Sequence, residues 1–280
     1  ANMASVRVGT GGAICLVSTV SSQVVVDLNG WFGENAANGY TTGSSTRLLD
    51  TRDGATRLTA GVARSISVPA QFGLQANDPL HPATVSNPVA ALLNVTATNP
   101  AAAGYLAVYP CSEGVPWTSN VNFAAGETAA NAAIGMLDGN GTVCVVSSVD
   151  TDLVVDLFGV FRSDGAGVFV SRSPIRVADT RQSGILAAGG TLQVPVSSAL
   201  ANNATGAVFN LTVTGSDGPG YLTVYTCGST VPWVSNLNFS ANETVANFAV
   251  GEVSGGNLCI YSTTNAHVIV DVASSVLTVV

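Results

Sequence analysis

Lysine is absent from this chain, and all nine of its basic residues are arginine. The absence excludes lysine–asparagine isopeptide crosslinks, Schiff-base catalysis and the lysine of a Walker phosphate loop. Charge is scarce altogether, since only 9% of the 280 residues are charged, against about 25% in an average domain. The net charge of −8 argues against nucleic acid as a partner, because affinity for phosphates comes mainly from cations.

Long apolar runs are also missing, although 47% of the residues are hydrophobic. The apolar triplets at residues 24–26, 153–155 and 268–270 are short, and no stretch approaches the roughly 20 residues of a membrane span. We therefore expect no membrane span. A chain this weakly charged and this rich in Ala, Val, Thr, Asn, Ser and Gly is typical of a β-rich extracellular protein with a largely covered surface.

Residue types that carry catalysis are rare. The two histidines, His81 and His267, fall in no recognisable nucleophile–base arrangement. Residues 138–141, Asp-Gly-Asn-Gly, fit a hairpin turn better than a calcium loop, which needs more oxygen ligands at fixed spacing. We expect no enzymatic activity, no cofactor and no metal site.

Internal repetition is what the chain has instead. Residues 104–123, GYLAVYPCSEGVPWTSNVNF, return at 220–239 as GYLTVYTCGSTVPWVSNLNF. In each copy apolar and polar residues alternate on both sides of a Pro-Trp pair, which predicts two short strands joined by a turn. Apart from a candidate turn at 71–76, no segment has a helical period, so we predict an all-β fold.

A second repeated unit occurs three times. Residues 1–32 align without a gap on 130–161 and, with one deletion, on 246–276. We call this unit the b half. The a half is the unit before it, from an Asp-Thr-Arg motif to a Ser-Asn-x-Asn-Phe strand. The chain then reads b, a, b, a, b.

Pairing each a half with the b half that follows it gives five segments. They are the C-terminal half of a β module (1–33), a linker (34–46), a complete β-sandwich module (47–162), a linker (163–175) and a second complete β-sandwich module (176–280). The opposite register pairs each b half with the following a half. We prefer the first register, because it places the flexible linkers between modules, where boundaries belong.

The cysteines occupy equivalent positions in the repeats. A disulfide between Cys111 and Cys144, and another between Cys227 and Cys259, would each close a loop and stabilise the folded state by roughly 3–4 kcal/mol. Zinc is the competing interpretation, but it needs four ligands, usually with CxxC spacing. Disulfides imply an oxidising, extracellular location. Cys15 is equivalent to Cys144, so we expect it to be unpaired or intermolecular.

The motifs RLLDTRxG, LNVTxTNPxxxGYLxVYPC, SNxNFxxGET and VVDLxGxF resemble the RLLDTR-type tandem β-rich repeats of secreted and surface proteins of actinobacteria and Chloroflexi-like bacteria. The resemblance covers essentially the whole chain. It implies an extracellular location and a modular build, in arrays or as appendages to other domains. It brings no established biochemical activity with it.

The Asp-Thr-Arg motifs hold the most conspicuous charges. They could bind an anion or a sugar acid through arginine forks, or form internal ion pairs with the acids that end the apolar triplets. We favour structural ion pairs among Arg47, Asp50, Arg52 and Asp156, and among Arg176, Asp179, Arg181 and Asp271. The asparagines that recur inside apolar runs are expected to bond backbone groups.

Trp117 and Trp233 follow proline at equivalent turns. Such a residue can stack on sugar rings or cap the end of a sandwich core, and packing is the commoner role. We predict a non-enzymatic, extracellular or cell-surface structural protein, the building block of a filament, fibre or adhesive stalk. The alternative is a lectin-like array that binds cell-surface glycan through these tryptophans.

Self-association is the expected partnership. Residues 1–33 would expose unpaired strand edges, which another subunit could cover by strand addition in a head-to-tail homopolymer. Residues 276–280 are the candidate donor strand. A truncated stalk and a monomeric binding module are the competing interpretations.

Overall fold

The structure is a computed structural model that describes residues 1–33, 38–70, 72 and 87–278, with the backbone alone at Ser44. The predicted all-β class is confirmed. The strands are Gly39–Asp50 (β1), Arg64–Ser67 (β2), Ala90–Thr98 (β3), Gly104–Pro110 (β4), Val121–Phe123 (β5), Ala129–Met136 (β6), Thr142–Ser147 (β7), Asp152–Arg162 (β8), Gly167–Asp179 (β9), Thr191–Pro195 (β10), Ala204–Thr214 (β11), Gly220–Tyr225 (β12), Leu237–Phe239 (β13), Val245–Glu252 (β14), Asn257–Ser262 (β15) and His267–Thr278 (β16). A 3₁₀ turn, Ser197–Ala199, follows β10.

Each complete module is a sandwich of two four-stranded antiparallel sheets. The first module has the orders β1-β8-β3-β6 and β2-β7-β4-β5, and the second has β9-β16-β11-β14 and β10-β15-β12-β13. The two modules therefore share one topology. A bridge between Tyr40 and Gly167 joins the sheets β1-β8-β3-β6 and β9-β16-β11-β14 edge to edge into one eight-stranded sheet.

Every strand of a b half pairs with the a half before it. In the first module β6 lies beside β3, β7 lies between β2 and β4, and β8 lies between β1 and β3. The second module repeats this pattern with β14, β15 and β16. In the described part of both modules no b strand pairs with another b strand. A b half thus completes sheets that the a half frames, and forms none by itself.

Separate hydrophobic cores on the two faces of one sheet explain why several strands lack an alternating pattern. On β3, Leu93 lies in the core of the first sandwich, whereas its neighbour Leu92 lies in a core between the modules. A strand buried on both faces is apolar throughout. The core between the modules also includes Phe158, Val208 and Phe248, so the modules are packed face to face as well as edge to edge.

The predicted linkers are wrong in their extent. Residues 39–46 and 167–175 form the first parts of β1 and β9, which pair with β8 and β16. Their Gly, Ser and Thr content suggested loops, but Thr and Ser are compatible with paired strands when the neighbouring strand supplies the hydrogen bonds. Residues 34–37 of the first linker, the candidate turn at 71–76 except Phe72, and His81 lie outside the described residues.

Residues 1–33 contain no strand, although their copies contain three. They have a turn at residues 10–12, a bend at residues 19–20 and no other regular secondary structure. One local feature is retained, since Ser18 Oγ donates to Val20 O at 2.6 Å, as Ser147 Oγ does to Val149 O at 2.5 Å. The turn forms from its own residues, whereas the strands need an a half to pair with.

The C-terminal segment is already part of a sheet as far as residue 278. Val276 pairs with Phe169 and Gly206 and is almost fully buried. The expectation that residues 276–280 form a free donor strand is therefore wrong for the described residues 276–278. No helix in the described part of the chain is long and apolar enough to span a membrane.

Candidate functional site

The two predicted disulfides are confirmed. Cys111 is bonded to Cys144 with a Cα–Cα distance of 4.9 Å, and Cys227 to Cys259 with 5.1 Å. Each bond links an a half to its own b half. Cys15 is a free, exposed thiol.

The first Asp-Thr-Arg motif forms a closed cluster with the acid of β8. Arg47 Nε donates to Asp156 Oδ1 at 2.6 Å and Nη2 to Oδ2 at 3.2 Å, while Nη1 donates to Asp50 Oδ2 at 3.0 Å. Arg52 binds Asp50 through two bonds of 2.8 and 2.6 Å. The Arg47 and Arg52 forks both bind internal carboxylates, which favours the structural interpretation over anion binding.

The second motif repeats the cluster at a more exposed place. Arg176 Nε and Nη2 donate to Asp271 at 2.8 and 2.9 Å, and Arg181 binds Asp179 at 2.8 and 2.6 Å. The side chain of Asp271 is 26% exposed, whereas that of Asp156 is 0% exposed. The same sequence motif thus sits in two different environments.

The pKa of the buried acid Asp156 moves in the opposite direction to the pKa values of Asp50 and Asp179. Burial raises the pKa of Asp156, and the Arg47 guanidinium offsets only part of that effect. The bond from Arg52 lowers the pKa of Asp50. The bond from Arg181 lowers the pKa of Asp179 to about 2.

Asp156 is buried because the second module covers it. The backbone N–H of Ser235 donates to Asp156 Oδ2 at 3.2 Å, and Asn94 Nδ2 donates to Ser235 O at 2.6 Å. Asn247 Nδ2 donates to Asn94 Oδ1 at 2.9 Å, and its Oδ1 accepts from Ala132 N at 2.9 Å. We call these five residues the closed joint.

The sequence did not reveal the closed joint. The asparagines were expected to bond backbone groups, and they do so within modules: Asn131 Nδ2 donates to Asn120 O, and Asn247 Nδ2 to Asn236 O, both at 2.6 Å. Their bonds between modules had no separate signal. Arg162 was also missed. It is fully buried, and it donates to Ala70 O at 2.7 Å and Asp164 Oδ1 at 2.9 Å.

Residues 1–33 contact both modules through copies of the closed-joint bonds. Asn2 is equivalent to Asn247, and its Nδ2 donates to Asn210 Oδ1 at 3.0 Å, as Asn247 does to Asn94. Met3 N donates to Asn131 Oδ1 at 3.2 Å, as Ala132 N does to Asn247. The second module thus contacts the first module, the first module contacts residues 1–33, and residues 1–33 contact the second module. The three repeats therefore form a ring of three.

Aromatic rings anchor the other end of residues 1–33. The ring centroid of Phe32 lies 4.5 Å from that of Phe169 and 6.0 Å from that of Phe161. Tyr40 packs against the same two rings, and its hydroxyl donates to Phe158 O at 3.1 Å. Burial raises the pKa of Tyr40, which keeps this donor neutral.

Between these anchors the orphan b half is bare. Leu28 is 82% exposed, whereas the equivalent Leu157 and Val272 are 0% exposed. Val26 is 61% exposed, and its equivalent Val155 is again fully buried. We call the apolar side of this segment the bare face; it comprises Ile14, Leu16, Val24, Val26 and Leu28.

The two loop tryptophans do not cap the cores. Trp117 is fully exposed and Trp233 is 86% exposed. Each follows an exposed valine and a proline, at Val115 and Val231. The prediction that these side chains pack against the sandwich cores is therefore wrong for both, and their rings are exposed to solvent.

Chemistry-bearing groups are dispersed elsewhere. Among the described residues, no group of three or more His, Cys, Asp or Glu side chains is arranged to hold a metal ion. His267 Nδ1 lies 3.3 Å from the Thr180 hydroxyl, beside β16. An open cleft between Ser197 and Gly256 is lined by no acid, base or thiol.

No protein-family model and no curated protein sequence matches the chain. Among solved structures, the N-terminal CBM22-1-CBM22-2 tandem domain of Xyn10C from Paenibacillus barcinonensis is 11% identical with a TM-score of 0.21, and the match covers 83% of this chain and 98% of that one. The STIV MCP is 9% identical with a TM-score of 0.21, covering 84% and 96%. Neither likeness is close enough to bear on function.

Proposed function

We propose that this chain is a non-enzymatic, extracellular structural protein, a building block of a surface filament, fibre or adhesive stalk. Its repeats form a ring of three, in which residues 1–33 are the half-module that is left uncovered. The disulfides support an oxidising location, and the low charge is consistent with a surface that is largely covered.

The closed joint is the observation that carries this proposal. Asn94 and Asp156 are fully buried, and part of their hydrogen bonding comes from Ser235 and Asn247 of the other module. A buried polar group left without a partner costs about 1–3 kcal/mol. The first module is therefore built to be joined, since its outer sheet face has polar groups that a neighbour satisfies.

Immunogold electron microscopy of the source cells tests the proposal. Antibodies raised against residues 38–278 should label fibres outside the cell envelope, and pre-immune serum should not. Label confined to the cytoplasm, or spread evenly without fibres, would refute the structural role.

The exposed tryptophans favour glycan binding as a second function. Two Val-Pro-Trp loops present open aromatic faces, at Trp117 and Trp233, and aromatic faces stack well on apolar ring surfaces. A pull-down on insoluble cell-wall polysaccharide should retain the chain, and the double variant Trp117→Ala/Trp233→Ala should lose retention. Trp31→Ala is the matched control, because Trp31 is equally exposed but lies outside these loops. Retention of the double variant would exclude this function.

A further inference from the structure

We propose that residues 1–33 are the receptor for a third a half, other than the two within residues 38–278, and that the cysteine of this incoming half forms a disulfide with Cys15. The inference rests on the proposed function, which it deepens by naming the kind of half-module that covers residues 1–33. Four observations lead to it.

The first observation is strand pairing. In both complete modules all three b strands pair with a-half strands, and within the described residues none pairs with another b strand. Residues 1–33 have the same sequence pattern and form no strand. What they lack is therefore an a half, because that is the partner with which each of the other b halves forms its sheets.

The second observation is burial. Leu28 and Val26 are bare, whereas their copies Leu157 and Val155 are fully covered by the first sandwich core. That core contains a-half side chains such as Leu93 and Leu106. The two complete modules thus show directly what covers the bare face.

The third observation is an incomplete joint on the second module. Asn94 bonds both Asn247 and Ser235, but its copy Asn210 bonds Asn2 and turns its Nδ2 to Thr212 Oγ1 at 3.1 Å. Within the described chain, Asp271 has only Arg176 as a side-chain partner. A serine backbone equivalent to Ser235 is missing here, and the incoming a half brings one in its Ser-Asn-x-Asn-Phe segment.

The fourth observation is a count of halves. The chain contains three b halves and two a halves, and both a halves are already paired. A second copy of residues 1–280 cannot cover residues 1–33 without uncovering another b half. The occupant is therefore an a half other than these two, and it would contact both the bare face and the incomplete joint.

The covalent step is thiol–disulfide exchange. Cys15 and the incoming cysteine each give up one hydrogen as their sulfurs bond, and one molecule of oxidised glutathione is reduced to two thiols. Equivalent pairs in the complete modules have Cα–Cα distances of 4.9 and 5.1 Å, within the range that a disulfide requires.

Mixing the full chain with a polypeptide of residues 38–128, in a glutathione redox buffer, tests the inference. This probe is an a half whose single cysteine is Cys111. It should couple to Cys15 about a hundredfold faster than a probe of residues 124–166, because docking raises the effective thiol concentration from micromolar towards millimolar. The second probe is a b half with one cysteine, Cys144, and controls for thiol reactivity alone.

Two chain variants locate the docking site. Leu28→Asp should abolish the preference for the a-half probe, because it places a charge on the bare face. Thr10→Asp is the control and should retain the preference, since the equivalent Gly139 is exposed in the first module. Equal coupling of the two probes, or faster Cys15–Cys15 dimerisation of the chain alone, overturns the inference.

A fused chain covers the case in which the separate probe does not fold. Residues 38–129 joined directly to Ala1 should link the added cysteine to Cys15 and leave no titratable thiol. A thiol that stays reactive in this fusion also overturns the inference. Neither result alters where immunogold label falls, so failure here is separable from failure of the structural role.

Discussion

Replacing Asp156 by asparagine tests whether the closed joint stabilises the first module. The carboxylate accepts from two nitrogens of Arg47 and from the Ser235 backbone N–H. An asparagine has one acceptor oxygen, so its amide nitrogen must face at least one of these donors. The chain offers a matched control in Asp271→Asn, where the same motif is partly exposed.

The magnitude follows from the two environments. In the first module one charge-assisted bond, worth about 1.5–3 kcal/mol, is lost and a buried donor is left unpaired. Arg47 is partly exposed and keeps Asp50, and the raised pKa of Asp156 shows that its burial is only partly offset. We expect a loss of about 2–4 kcal/mol for Asp156→Asn, and about 0.2–1 kcal/mol for Asp271→Asn, where water replaces the partner.

Hydrogen exchange measured by mass spectrometry is the appropriate assay, because it reports opening free energies for each module separately. Peptides from β3 and β8 report on the first module, and peptides from β11 and β16 on the second. A loss below about 0.5 kcal/mol for Asp156→Asn, the range of ordinary surface changes, would refute the buried pairing. A larger loss for Asp271→Asn would refute the reasoning from exposure.

Three further predictions use the same structure. Cys111→Ser should lower the free energy of unfolding of the first module by roughly 3–4 kcal/mol, because a loop of about 33 residues is released; an unchanged denaturation midpoint would contradict this. Because the folded pKa of Asp179 is lowered, its ion pair contributes stability above about pH 4 that is lost as pH falls towards about 2, and Asp179→Asn should flatten acid unfolding curves over this interval. Asn247→Ala should open the closed joint and lower the free energy of unfolding by about 2–4 kcal/mol, because buried groups lose their partners. Asn131→Ala should lower it by less, because one of the partners of Asn131 lies in the bare N-terminal segment. Equal losses for the two variants, measured by urea unfolding, would count against the ring.

The elements that sequence reasoning located depend on local or strictly repeated signals. The disulfides were predictable because Cys111 and Cys227 recur at one place in the a half, and Cys144 and Cys259 at one place in the b half. The hairpin turn predicted at residues 138–141 is also present, since Gly141 N donates to Asp138 O at 2.9 Å between β6 and β7. Such features need no information about distant parts of the chain.

The features that sequence reasoning missed depend on what lies across a joint. Asparagine recurs at the same place in every repeat whether its partner lies in the same module or in the other one. The sequence pattern therefore does not show that Asn247 bonds Asn94 of the other module. The linkers were misjudged for a related reason. Residues 39–46 are polar enough for a loop, but β8 supplies the hydrogen bonds that hold them as a strand.

The pairing of β1 with β8 also determines how a module responds to a pulling force. Gly39 lies opposite Arg162, and in the second module Gly167 lies opposite Thr278. Tension on the chain at these points opens an antiparallel pair from one end, one hydrogen bond after another, and not all bonds together. The disulfide then sets a limit, because the 33-residue separation between Cys111 and Cys144 keeps about 110 Å of chain from extending, at up to ~3.3–3.6 Å per residue. Under tension, each module would yield at low force, lengthen by a fixed amount and stop at a covalent bond.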